Sequence, residues 1–238
     1  MPHLFRYKPQ CSRYYAWFQA LHTRVDLLLI GPLCEEKFEV AEASVSAELH
    51  DVEHMGNRFD PDSELSRAVR GEAPDGLLSP ELYALLARCL SAWRETGGLF
   101  DITVNSPGFT PGLIESVELI PSGNSGYLRL HHAGVILDLS GILKGYALER
   151  LRLLLPTLGI NDALVSLGNS SILSLGSNPS DIPPGQCLTT SGNATAERRH
   201  IRNPLTGAYV AGTRAVSVTT ANAVDGEIAS IVEFLKTT

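Results

Sequence analysis

The sequence predicts an α+β fold: mixed, mostly antiparallel sheets with helices packed on them. Three observations carry the prediction. Apolar runs pair across short turns as hairpins, helices follow hairpins instead of alternating strictly with single strands, and 44% of the 238 residues are hydrophobic, enough to bury a real core. Strict β-α alternation would have pointed to a doubly wound sheet.

Val25 to Ile30 reads as a short buried strand ending at Gly31-Pro32. Phe38, Ala41, Val45, Leu49 and Val52 then recur at helical spacing, which predicts a first helix of about five turns. Gly56 to Gly76 is charged and poor in core residues, so it reads as a loop. Ser79-Pro80-Glu81 combines an N-cap, a proline at the first helical position and an acid in the first turn. Leu82, Leu86, Cys89 and Trp93 continue that helix until Gly97-Gly98 stops it. Val117 to Ile120 and Tyr127 to Leu130, joined by Pro121-Ser122-Gly123-Asn124, form a hairpin pattern. Gly134 to Leu139 reads as a strand, followed by a helix to about Leu155. Two further strands, Ala163 to Leu167 and Ser171 to Leu175, flank Gly168-Asn169. Ser177 to Gly185 is a surface loop by its Pro, Ser, Asp and Asn content. Ala215 to Thr219 closes the strands, and Asn222 to Leu235 is a final helix.

The formal charge of −7 argues against a nucleic-acid partner, because phosphate backbones need concentrated Lys and Arg. The cysteines at 11, 34, 89 and 187 are widely spaced without a C-x-x-C pair, so free thiols are expected instead of zinc or a disulfide framework. Met1 to Gln10 has two prolines and no apolar core of an export signal, so the expected location is cytoplasmic. No apolar run approaches the roughly 18–20 residues of a membrane span.

One segment carries chemistry. In Leu137-Asp138-Leu139-Ser140-Gly141-Ile142-Leu143-Lys144-Gly145-Tyr146 a carboxylate ends an apolar run and a lysine stands in the first turn of the next helix. The acid can accept from a ribose or base, while helix N–H groups and the ammonium suit an anionic phosphate. A solvated Asp and Lys at an ordinary strand-to-helix turn accounts for the pattern equally well.

Six segments in order resemble the ApbE family of FAD:protein FMN transferases, formerly called thiamine biosynthesis lipoproteins. They are Arg58-Phe59-Asp60-Pro61-Asp62-Ser63-Glu64-Leu65-Ser66-Arg67, Gly97-Gly98-Leu99-Phe100-Asp101-Ile102-Thr103, the segment above, Val165-Ser166-Leu167-Gly168-Asn169-Ser170, Thr190-Ser191-Gly192, and Arg199-His200-Ile201-Arg202-Asn203-Pro204-Leu205-Thr206-Gly207. They span Leu21 to Leu235. The resemblance implies a T-fold-like architecture, with residues 1–20 as an N-terminal extension and 21–238 as a single FAD-binding domain.

It also implies protein flavinylation: FMN moves from FAD to a Thr or Ser hydroxyl of an acceptor protein, AMP leaves, and magnesium assists. A non-catalytic flavoprotein, or a hydrolase splitting FAD into FMN and AMP, is the alternative. Under the resemblance Phe59 lies against the flavin ring, although a loop anchor packing on the first helix would also explain it. Leu99, Phe100, Asp101, Asp138, Lys144 and Ile201 contact FAD. Gly141 offers a backbone carbonyl to the metal, a hard oxygen donor suited to magnesium. His200 is the candidate general base, since imidazole titrates near neutrality; a hydrogen-bonded structural histidine is its alternative.

The sequence departs from the family in three places. The family's last motif places an acid and a threonine four residues apart on one helix face, where both reach one metal ion. Here the residue four after Asp225 is Ala229, and the residue four after Glu227 is Ile231. Ser230 lies three residues after Glu227, so both Asp225 and Glu227 stand as metal candidates. The family's Met-Gly-Thr near the N-terminus appears as Leu21-His22-Thr23, and a longer strand-bearing insert is reduced to a short loop between Gly176 and Thr189.

Overall fold

The computed structural model describes residues 13–32, 34–73, 76–193 and 200–236. The leader reading of Met1 to Gln10, Cys11 and Arg199 lie outside the described residues. The chain divides into two compact units. The first takes the chain up to Glu53, Ile142–Ser191 and Ser217–Ser230; the second takes His54–Gly141, Gly192–Val216 and the chain from Ile231 onward.

The first unit is built on strands β1 (Arg13–Ala20), β2 (Thr23–Ile30), β5 (Asp162–Leu167), β6 (Ser171–Leu175), β7 (Cys187–Gly192) and β8 (Ala215–Thr220), which lie in the order β1-β2-β5-β6-β7-β8. The pairings β1–β2, β2–β5, β5–β6 and β6–β7 are all antiparallel. β1 occupies residues placed by the sequence in an N-terminal extension. Its Tyr14, Ala16, Phe18 and Ala20 are buried in alternation, as a half-buried strand requires. β7 is a second strand the sequence did not announce.

Helices α1 (Glu35–Gly56) and α4 (Leu143–Thr157) supply apolar faces to this unit. Phe38, Ala41, Val45 and Leu49 of α1 are buried at the predicted helical spacing, and the Phe38 ring stacks on Tyr14 with centroids 5.3 Å apart. Leu148, Leu151 and Leu155 of α4 are fully buried, and α4 packs on β6.

The β1–β2 turn consists of Leu21 and His22, both left-handed at φ 52° and 55°. A two-residue hairpin loop of this kind asks for positive φ at both central positions, which non-glycine residues adopt at a cost. Glu53 of α1 holds the turn: it accepts the Leu21 N–H at 3.0 Å and lies 3.3 Å from the His22 ring.

The second unit contains α2 (Glu64–Val69), α3 (Pro80–Glu95) and the hairpin β3 (Val117–Ser122) with β4 (Ser125–Leu130). α3 starts as expected, with the Ser79 hydroxyl accepting the Leu82 N–H at 3.1 Å. The hairpin turn narrows to Gly123-Asn124, because Ser122 and Ser125 already pair. α2 interrupts the predicted 56–76 loop. Ser63 caps it by accepting the Ser66 N–H, and Glu64 reaches the start of α3, accepting from Ser79 N at 2.6 Å and Ser79 Oγ at 2.8 Å.

The predicted strand at Gly134 to Leu139 is not one. Val135, Leu137 and Leu139 are buried in strand-like alternation, but they pair with no strand among the described residues. The partners come instead from the 101–106 loop: Asp138 N donates to Ile102 O at 2.8 Å and Ile136 N to Ser106 Oγ at 2.9 Å.

Helix α5 (Ala223–Lys236) ends the chain's regular structure. Cys34, Cys89 and Cys187 are free thiols, the last two buried. Burial pushes each of those two up to about 12, which makes them inert core residues. No helix among the described residues is long and apolar enough to cross a membrane.

Candidate functional site

Two polar constellations carry the predicted residues, one in each unit. In the second unit, Asp138 is only 8% exposed and is held from three sides. Asn105 Nδ2 donates to its Oδ2 at 2.8 Å and Ser140 N to its Oδ1 at 3.0 Å. Arg58 Nε lies 2.8 Å from Oδ2 in an ion pair, although its N–H does not point at the oxygen. A carboxylate so engaged organises the three loops that surround it. Arg58 also covers the Phe59 ring, its guanidinium carbon 3.9 Å from the centroid. Phe59 itself is 66% exposed, so it is not the packed loop anchor that the sequence left open.

Asp101 is treated differently. It is 7% exposed, and its Oδ1 accepts both the Thr103 N–H at 2.7 Å and the Thr103 hydroxyl at 2.6 Å. Its Oδ2 is buried and has no hydrogen-bond partner among the described residues. Burial pushes the Asp101 carboxyl above the usual aspartate range, with the two Thr103 donors pulling the other way. A buried acceptor left open costs about 1–3 kcal/mol, which is why such atoms mark ligand sites.

Phe100 is buried, while Leu99 and Ile201 pack on a cluster of Val210, Phe234 and Leu235. His200, one residue before Ile201, is solvent-exposed. The 202–207 turn that follows is fixed by Arg202, which donates to Val104 O at 2.6 Å and to Gly207 O at 2.9 and 3.1 Å. Gly207 has φ 69°, as that turn requires.

In the first unit the ammonium of Lys144, in the first turn of α4, donates to Ser170 Oγ. Glu227 of α5 is 4% exposed and accepts from Ser171 Oγ. Burial pushes its carboxyl up, opposed by the positive charge of Lys144 and the Ser171 hydroxyl. The close approach of α4 and α5 depends on Gly145, where a Cβ would sit 2.5 Å from Ala223 O and 2.7 Å from Glu227 Cγ. Nearby in sequence, Ser230 Oγ is bonded to Ser191 Oγ at 2.7 Å and to Glu227 O at 3.1 Å.

The two metal candidates do not act together. Asp225 is exposed in the first turn of α5, where an acid suits the helix N-terminus, and its N–H donates to Asn222 Oδ1 at 3.1 Å. Glu227 is buried, and positions two apart do not share a helix face. Four residues after Glu227 stands Ile231, and in the second unit its Cδ1 lies 3.1 Å from where a Cβ on Gly141 would be. Among the described residues no three His, Cys, Asp or Glu side chains converge to hold an ion. Magnesium is usually held by one or two carboxylates together with waters and substrate phosphates, so Asp225 or Glu227 is the side chain of α5 that could hold it.

The sequence reading missed Arg58, Asn105, Arg202, Ser170 and Ser171. Arg58, Arg202 and Ser170 stand inside the quoted motifs, beside residues that were singled out. Asn105 and Ser171 had no sequence signal.

No curated protein of similar sequence was found. Solved structures match the fold. The flavin transferase ApbE from Vibrio cholerae has 19% identity and a TM-score of 0.77, covering 94% of this chain and 86% of that one. An ApbE protein from Thermotoga maritima gives 19% identity and a TM-score of 0.74 over the same shares of the two chains. The Pseudomonas stutzeri flavinyl transferase ApbE, in its apo form, gives 17% identity and 0.73, covering 98% of this chain and 86% of that one. The sequence matches the ApbE family over residues 21–108 and 111–237, nearly its full length, and the chain belongs to that family.

Proposed function

We propose that this chain is a flavin transferase that moves FMN from FAD onto a Ser or Thr hydroxyl of an acceptor protein. The observation that carries the reading is the buried, unpartnered Oδ2 of Asp101, next to Leu99 and Phe100 in the stretch that resembles the family's FAD contact. Asp101 accepts from a ribose hydroxyl or a ring N–H of the nucleotide. The exposed Phe59 ring offers a flat apolar face to the isoalloxazine, and Ile201 adds an apolar wall. Asp138 holds the loops in register through Arg58 and Asn105, and in the first unit Lys144 offers a positive charge to phosphate oxygens.

In the reaction the acceptor hydroxyl oxygen bonds to the FMN phosphorus and the bond from that phosphorus to the AMP phosphate oxygen breaks. AMP leaves, and FMN remains as a phosphoester. His200 takes the hydroxyl proton; its exposure leaves it reachable by a hydroxyl carried on another protein. The magnesium that the family resemblance implies would be held by the Asp225 or Glu227 carboxylate together with phosphate oxygens of the nucleotide.

The test is incubation with FAD and a threonine-bearing peptide, with AMP and flavinylated peptide followed by chromatography. Release of AMP, abolished in His200→Ala, is the expected result. Neither Ala229, four residues after Asp225, nor Ile231, four after Glu227, carries the hydroxyl of the family motif, which favours a second reading: a flavin-binding protein without turnover, which would return FAD intact. AMP without flavinylated peptide would identify a hydrolase.

A further inference from the structure

We infer that this chain carries an internal flavin acceptor: the Ser170 hydroxyl attacks the FMN phosphorus of bound FAD, so the protein flavinylates itself. The inference rests on the flavin reading above and concerns the first unit alone. Lys144, which there offers charge to phosphate, donates from its ammonium to Ser170 Oγ. A phosphate oxygen that binds this ammonium therefore comes to lie beside a serine hydroxyl. Lys144 and Ser170 are half-buried, and the adjoining Gly168 and Asn169 are exposed, so the hydroxyl stands at the surface and not in the core.

The backbone of Ser170 is fixed. Leu167 and Ser171 pair as the last residues of β5 and the first of β6, which leaves 168–170 as a tight turn. Gly168 N donates to Arg24 O at 2.8 Å and Thr190 N to Ser170 O at 2.7 Å, tying the turn to β2 and β7. A nucleophile held in this way has little freedom left to lose on reaching the transition state. The neighbouring ammonium also stabilises the negative charge that builds on Oγ as it attacks. Among the described residues the Ser170 hydroxyl finds an acceptor for its own proton only at Leu167 O, a long 3.4 Å. Ser171, by contrast, is fully buried and already donates to Glu227. In the step the bond from Ser170 Oγ to phosphorus forms and the bond from that phosphorus to the AMP phosphate oxygen breaks. AMP leaves, the hydroxyl proton passes to water, and FMN stays on Ser170 as a phosphoester.

The test is incubation of the full chain with FAD and MgCl2 and no acceptor, followed by intact-mass spectrometry and peptide mapping. The expected result is a mass gain of one FMN less one water per chain, an equal amount of AMP, and flavin mapped to Ser170. FAD binding is followed in parallel by flavin fluorescence. Ser170→Ala should bind FAD and show no mass gain, while Ser170→Thr, which keeps a hydroxyl, should retain the gain. Lys144→Met should slow the gain by about tenfold or more, and Lys144→Arg by less. FAD bound with the chain mass unchanged would overturn the inference and leave the flavin reading standing. AMP with free FMN from an unmodified chain, or flavin mapped to another residue, would overturn it as well. A chain that binds no FAD would overturn both.

Discussion

Asp101 and Glu227 are both buried carboxylates pushed up by desolvation, yet their surroundings use them in opposite ways. Asp101 spends one oxygen on Thr103 and leaves the other open. Glu227 is engaged by Ser171 under the charge of Lys144, and it sits where α4 and α5 approach closely at Gly145. The first holds an unused acceptor that a ligand can satisfy. The second fastens α5 to β6. Burial and a raised pKa therefore do not identify a functional acid by themselves; the count of unsatisfied oxygens separates the two cases.

The comparison breaks most directly at Glu227. Replacing it by alanine leaves the buried Ser171 hydroxyl without its acceptor, and urea unfolding should report a loss of about 1–3 kcal/mol. Glu227→Gln keeps an acceptor for Ser171 and should lose far less; equal losses would show that packing, not the polar contact, sets the cost. Asp101→Ala should move binding instead. FAD affinity, read by fluorescence titration, should fall roughly tenfold to a hundredfold. Unchanged affinity would remove Asp101 from the site.

The pH dependence sharpens the same contrast. The folded state holds the Asp101 carboxyl above its ordinary value of 3.8, so the folded chain binds this proton more tightly than the unfolded chain does. That contribution to stability is fully present below the ordinary aspartate range and is lost as pH rises through the raised folded value. Asp101→Asn, which never ionises, should therefore gain on the wild type as pH rises from about 4 to about 7. A flat difference in urea midpoints across that range would sink the assignment.

The smallest expected effect lies away from both acids, in the Leu21-His22 turn. Leu21→Asn with His22→Gly relieves two left-handed non-glycine residues and should raise stability by about 1 kcal/mol, partly offset by the lost exposed His22–Glu53 pair. Thermal melting would show it, and a lower melting temperature would mean that Glu53 contributes more than the turn costs.

Much of the fold was legible because its signals are local. The 3.6-residue spacing of Phe38, Ala41, Val45 and Leu49 and the Ser79-Pro80-Glu81 start each define an element within a few residues. The failures have local causes too. In β1 the alternation of Tyr14, Ala16, Phe18 and Ala20 is blurred by Tyr15 and Trp17 on the other face. β7 buries Cys187, Thr189 and Ser191, so its inner face carries almost no apolar pattern. Val135, Leu137 and Leu139 show the converse: strand-like alternation arises wherever a straight segment is buried on one side, and only a neighbouring strand makes it sheet.

By itself the sequence determined the α+β class, the helix registers and caps, and the motifs that resemble the ApbE family. The tertiary structure decided what each polar atom does. Asp138 meets Asn105 across 33 residues and Ser171 meets Glu227 across 56. Periodicity and capping act over a turn or two of chain, whereas satisfying a buried carboxylate depends on which distant segments fold against it. That is why the sequence could place Asp101, Asp138, Lys144 and Glu227 in one list of candidates, and only the fold could show which of their polar atoms remains open.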